Sequence, residues 1–201
     1  MTWTLDERRE RIVDAALQIA TDQGMEHVSI RSAAHNSGFS VEVAREVFAD
    51  QYELLTAMSQ AITQRNIPAD ELSVHEKSTI EEVLADVAIS FWRSLVSRRE
   101  QQIVSYELSL FALRRTVLRS MVRDQFDQAR TAAFILLTNV ATAIGISWDR
   151  PVEDLGRFVS VFIDGLSLSW LVDNDYEQAE QQMQLLVDFL VSHAVVPNVE
   201  S

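Results

Sequence analysis

Glycine and proline interrupt helices, and this chain nearly does without them: five glycines and three prolines in 201 residues. An all-β fold of that length needs many more tight turns than this supply allows. Between the few breakers, apolar residues recur at three- and four-residue spacing. Ile12, Ala15, Ala16 and Ile19 form one such stripe, and Leu118, Met121, Val122, Phe126, Ala129 and Ala133 form a longer one. Hydrophobic residues make up 47% of the chain, enough to fill a core. The expected class is all-α, with about nine helices.

Local signals place the helix ends. Thr4 and Glu7 fit a capping box at the start of a helix over 4–23, and Gly24 suits the left-handed position after it. Two short helices follow, about 29–36 and 40–47, with Gly38 in the turn. Asp50 and Glu53 cap a fourth helix, which Asn66-Ile67-Pro68 breaks. Residues 66–78 are polar and poorly periodic, as in a hinge or a frayed helix end. Longer helices are expected over about 79–97, 100–113 and 116–144, the last ended by Gly145. Pro151 fits the first turn of the next helix, Asp173-Asn174-Asp175 is a turn, and a last helix covers about 176–193. This pattern divides into an N-terminal helix-turn-helix domain, 1–50, and a helical bundle, 51–201.

Several function classes are excluded or disfavoured. The chain has no cysteine, so it has no disulfide framework and no thiolate zinc site, and a cytoplasmic setting is the easier reading. No unbroken run of about 18 apolar residues exists to span a membrane, and the N-terminus lacks the basic-then-apolar order of a secretory signal. The histidines at 27, 35, 75 and 193 form no helical pair, so no metal site is expected. No nucleophile elbow or phosphate loop occurs, which argues against an enzyme and implies no cofactor.

The net charge is −13, unfavourable for bulk attraction to nucleic acid. Its distribution is uneven. Residues 1–60 carry ten acids and five arginines, while residues 93–130 carry eight arginines and four acids. Lys77 is the only lysine.

Residues 28–48 carry the functional signal. Ser29 can cap one short helix, Gly38 permits a steep crossing, and Ala33 and Ala34 let the helices approach. Val43, Val47 and Phe48 are expected to anchor the second helix inside. Ser40, Val41, Glu42, Arg45 and Glu46 then face outward near its start, where a recognition helix meets base edges. Ser29, Ser40 and the helix N-termini can donate to phosphates.

The stretch RIVDAALQIATDQGMEHVSIRSAAHNSGFSVEVAREVFADQYELL resembles the DNA-binding domain of the TetR family of transcriptional regulators. The match runs through Arg11, Ile12, Ala15, Ala16, Gly24, Ser29, Arg31, Ala34, Gly38, Ser40, Phe48, Leu54 and Leu55. The resemblance implies a homodimeric repressor that binds palindromic double-stranded operator DNA and answers to a small, mainly apolar effector. There are departures. Glu42 stands where the family usually has glycine, Arg45 where it has tyrosine and Gln51 where it has lysine. The last two positions typically touch phosphates in the family. Arg45 can keep such a contact, and Gln51 can donate but brings no charge. Glu42 or Glu46 can accept from a cytosine amino group, or both can simply face solvent. Ser29, Arg31, Ser40, Val41, Glu42, Arg45, Glu46 and Gln51 are therefore the DNA-binding candidates. The alternative is a ligand- or protein-binding module of the same shape that no longer reads DNA.

The resemblance also implies an apolar effector cavity among the fifth to eighth helices, for which Trp92, Tyr106, Phe111, Phe134 and Asn139 are candidates. The arginines between 93 and 130 either pair with acids or draw in an acidic effector. Phe158, Phe162, Gly165, Leu166, Ser169 and Trp170 form one helix face, and Leu186, Val187 and Leu190 another. Two such helices per protomer would make a four-helix dimer interface.

Overall fold

The capping box at Thr4 is formed. Its side chain accepts from the Glu7 N–H, and the Glu7 carboxylate accepts from the Thr4 N–H. It opens α1, Leu5–Gln23. The computed structural model describes residues 3–66 and 79–196, so the proposed hinge at 66–78 lies almost wholly outside the described residues. Gly24 ends α1 at φ 94°, ψ 161°, an extended conformation open to glycine rather than the left-handed one expected. A 3-10 turn, Met25–His27, leads to α2, Ile30–Ser37, and α3, Val41–Val47. Gly38 between them is left-handed at φ 79°.

The remaining helices among the described residues are α4 (Gln51–Asn66), α5 (Ile80–Val96), α6 (Arg99–Leu113), α7 (Arg119–Ile144), α8 (Val152–Asp173) and α9 (Tyr176–Ser192). The expected helix over 116–144 begins instead with a separate 3-10 turn, Thr116–Leu118. Two short strands were not foreseen. β1, Ser147–Trp148, pairs antiparallel with β2, Ala194–Val195. Two residues each is too short for an alternation to show in sequence. The all-α class holds.

The chain forms two compact units. Unit 1 comprises residues 1–66 and 98–126, and unit 2 comprises 67–97 and 127–201. In unit 1 a single core joins α1 to α4 with α6 and the start of α7. Ile12, Phe48, Leu54, Met58, Leu108 and Leu118 are all essentially inaccessible within it. In unit 2, α9 packs against α5 and α8. Leu84, Leu137, Leu155, Leu186, Val187 and Leu190 form one cluster there, and Trp92, Leu95, Trp170 and Met183 form another.

Within unit 2, Gly156 of α8 allows a close crossing over α7. A Cβ built on it would lie 3.0 Å from the backbone nitrogen of Phe134. Backbone cannot rotate away as a side chain can, so bulk here must separate two helices. Gly156→Val is expected to destabilise the protein by about 1–3 kcal/mol, read from urea unfolding.

Candidate functional site

The head of unit 1 is built on three hydrogen-bonded ends. Ser29 caps α2, its hydroxyl accepting from the Ser32 N–H at 3.0 Å while Ser32 Oγ accepts from the Ser29 N–H at 2.9 Å. Ser40 caps α3, accepting from the Val43 N–H at 3.3 Å. Asp50 accepts from the Glu53 N–H at 2.9 Å at the start of α4. Ala33, Ala34, Ala44 and Phe48 are buried between the helices. The inside of α3 is thus held by Ala44, Val47 and Phe48. Val43, expected there, is only half-buried, because a helix of seven residues turns one row inward and Ala44 takes it.

Outward from this frame stand Arg31, Ser40, Glu42, Arg45 and Glu46, all exposed. Val41, expected among them, is half-buried and packs against the core. Glu46 is drawn across to α1, where Arg8 Nη1 lies 3.4 Å from its carboxylate. Glu42 sits in the first turn of α3. Its own backbone N–H, then Ser40 and Arg45, hold its carboxyl below the usual range against a small effect of burial. An anion is stabilised at that end of a helix. Gln51 uses both ends of its amide inside the chain. Its Nε2 donates to the Val28 carbonyl, and its Oε1 accepts from the Ile30 N–H, both at 3.1 Å. It clamps the start of α4 to the first turn of α2. Sequence patterning does not show this clamp, because it links residues more than twenty apart.

Charge is divided between the units. Unit 1 carries 13 acids and 12 arginines, a net −1, and unit 2 carries 17 acids against four arginines and Lys77, a net −12. The acidity of residues 1–60 is offset because α6 and the start of α7 fold against them with six arginines.

The five effector candidates are divided between the two units. Tyr106 and Phe111 belong to unit 1, and Phe111 lies beneath the guanidinium of Arg115. Asn139 is exposed on α7, so it does not orient anything inside. Trp92 is buried in unit 2 with its ring 5.5 Å from that of Trp170. Phe134 is half-buried at the Gly156 crossing. The interior of unit 2 also holds polar atoms that sequence reading missed. Trp92 Nε1 and Ser167 Oγ are buried without a hydrogen-bond partner among the described residues. Asp164, one turn before Ser167, is half-buried.

The dimer candidates separate into two groups. Trp170, Leu186, Val187 and Leu190 are buried inside unit 2 and cannot meet a partner. They fill the inner rows of α8 and α9, which hydrophobicity alone does not distinguish from outer rows. Phe158, Phe162, Gly165, Leu166 and Ser169 remain half-buried or exposed. With them stand three residues not singled out from sequence: Val161 at 62% exposure, Leu168 at 50% and Val172 at 83%. On α9, Leu185 is 57% exposed. A groove of about 400 Å³ runs between the two helices, floored by Phe162, Gly165, Leu166 and Ala179 and edged by Gln178 and Gln182. α8 is the one helix among the described residues long and apolar enough by composition to cross a membrane, contrary to expectation. Serines and glycine interrupt its apolar runs.

The tetracyclin repressor-like C-terminal domain model matches residues 78–192, more than half of the chain. The HTH-type nicotine-responsive transcriptional repressor HdnoR of Paenarthrobacter nicotinovorans is 22% identical over 182 residues, 90% of this chain and 93% of that protein. The HTH-type transcriptional regulator PksA of Bacillus subtilis (strain 168) is 25% identical over 176 residues, 84% of this chain and 80% of that protein. Among solved structures, the multidrug binding protein EbrR complexed with imidazole aligns at 24% identity with a TM-score of 0.64, covering 97% of this chain and 99% of that one.

Burial pushes the Asp164 carboxyl up to about 6, and the Arg130 guanidinium pulls against that shift. Folding therefore favours the protonated form. The contribution of Asp164 to stability is fully present below the ordinary value of 3.8 and is lost as the pH rises through about 6. Asp164→Asn is expected to raise the thermal midpoint at pH 7.5 and to flatten that decline, measured by melts between pH 4 and 8. An unchanged profile would show that Asp164 is solvated in the folded protein.

The chain belongs to the TetR family of transcriptional regulators, which are non-enzymatic DNA-binding proteins.

Proposed function

We propose that the protein is a homodimeric, ligand-responsive repressor that binds palindromic operator DNA through α2 and α3. The observation that carries this is the electrostatic division of the chain. The head unit is close to neutral, and Arg31 and Arg45 stand exposed beside two capped helix N-termini. Backbone N–H groups and arginines at such ends suit phosphates. The alternative of a module that no longer reads DNA rests on Glu42, Glu46 and Gln51. Glu46 and Gln51 have partners within the fold, and Glu42 stabilises the start of α3.

The effector would enter unit 2 between α5 and α8. Trp92 and Trp170 offer flat apolar faces, and the unpartnered Ser167 hydroxyl and Trp92 indole N–H offer orientation. Such a mixture suits a small, mainly apolar molecule with a few polar atoms. The nicotine response named for HdnoR and the multidrug binding named for EbrR support the same class. The partner protomer would cover the outer stripe of α8 and Leu185 of α9, completing a four-helix interface. A two-fold dimer places its heads on half-sites about one helical turn apart. Effector binding shifts the protein only by its differential affinity for the two arrangements.

Binding to duplex DNA from upstream of the protein's own coding region, against a shuffled duplex of equal length, tests the reading. Selective binding is expected, and Arg45→Ala should weaken it by about 1–3 kcal/mol. Equal affinity for both duplexes across a salt series would sink it in favour of the module. Separately, Val161→Glu with Val172→Glu is expected to give monomers in sedimentation, because each places a charge on the outer stripe of α8. A dimer that survives both would place the interface elsewhere.

A further inference from the structure

Half of the twelve arginines of unit 1 have a carboxylate, carbonyl or aromatic partner. Arg8, Arg9, Arg65 and Arg99 have carboxylate partners, and Arg11 lies over aromatic rings. Arg114, Arg119 and Arg123 differ. All three are exposed, and none forms an ion pair among the described residues. They gather where α6 turns through Thr116–Leu118 into α7, a stretch with no acid between Glu107 and Asp124.

The position of this corner follows from contacts inside unit 1. Gln101, near the start of α6, lines a cleft with Arg65 at the end of α4. α6 also touches the Met25–His27 turn, which leads directly to Ser29. It therefore runs opposite to α4, towards the end where α4 begins. Ser59, halfway along α4, donates to Gln125 at 3.0 Å, and the Thr116–Leu118 turn packs on α4 earlier in α7's course. Leu118 shares its core with Val28 and Leu54. The corner thus lies on the side of unit 1 where α4 begins.

We infer that Arg114, Arg119 and Arg123 form a second phosphate-binding rim, outside the helix-turn-helix, that engages the DNA backbone flanking the half-site. Three exposed guanidinium groups without an ion pair gather on the side of the unit where α4 begins, and their charge complements phosphate. Contacts to phosphate add affinity and salt dependence without reading sequence. The rim would supply the cation that the head lacks at Gln51. This inference rests on DNA binding by the head.

The test uses the full-length protein and the same two duplexes, followed by fluorescence anisotropy over a salt series. The variants are R114Q/R119Q/R123Q and R114K/R119K/R123K. The glutamine variant is expected to bind both duplexes more weakly, with a salt slope flatter by about 2–3 and an unchanged ratio between the duplexes. The lysine variant should retain the wild-type slope, since charge and not shape sets it. Melting curves of all three proteins are expected to coincide, because the side chains lie in solvent. A glutamine variant with wild-type affinity and slope, while Arg45→Ala still weakens binding, overturns the rim and points to an acidic protein as its partner. A wild-type protein that binds neither duplex at low salt overturns the proposed function together with the rim.

Discussion

The core of unit 1 decides more than stability. Phe48 and Leu54, which close the helix-turn-helix, are buried in the same cluster as Leu108, Ala112 and Leu118. Those three come from α6 and the turn after it, 54 to 70 residues further along the chain. Burying them together brings six arginines against the acidic N-terminal helices. Each large apolar side chain withdrawn from water contributes roughly 1.5–3 kcal/mol. Gathering like or unlike charges at a solvated surface changes energy far less. Packing therefore sets the arrangement, and the near-neutral head follows from it.

Unit 2 is organised by a helix with two apolar faces. The inner face of α8 carries Leu155, Gly156, Ser160, Ser167 and Trp170, all buried. Small residues in that row let α7 approach at Phe134, while Trp170 meets Trp92 across from α5. The outer face repeats Phe158, Val161, Gly165, Leu168 and Val172 at helical spacing, and these are exposed. Apolar side chains on both an inner and an outer face explain why α8 has the hydropathy of a membrane helix. The proposed partner helix on the outer stripe would serve the same purpose as lipid, and the polar groups Ser160, Asp164 and Ser167 on its other side favour protein.

Helix order, most helix ends and the family were legible in the chain. Capping residues, glycine at Gly38 and the apolar stripes act over four residues or fewer, so their signals survive in a linear reading. What was lost depends on pairing over distance. Local spacing makes Glu46 a groove-facing acid, but Arg8, 38 residues earlier in the chain, pairs with it. Gln51 looked like a weakened phosphate contact, but its partners are Val28 and Ile30. Leu186, Val187 and Leu190 looked like an interface because an inner row and an outer row have the same composition. Only the path of α5 against α9 separates them. Tyr106 and Phe111 were grouped with Trp92 by family likeness, yet they fall in different compact units.

The acids on α3 therefore do not oppose DNA binding in the way their number suggests. Glu46 is partly neutralised by Arg8, and Glu42 is held ionised at a helix start that favours a negative charge. An ionised carboxylate accepts hydrogen bonds and never donates, so at a base edge Glu42 can favour only an amino group, as on cytosine or adenine. Against phosphate it is repulsive, which penalises every misplaced register equally. On the proposed reading, affinity would come from donors and cations at the margins: Ser29, Arg31, Arg45, the helix N-termini and the arginine rim. A head built this way binds weakly where only the backbone is offered. It gains where the base presented to Glu42 can donate, so a near-neutral head gives up general attraction and keeps discrimination.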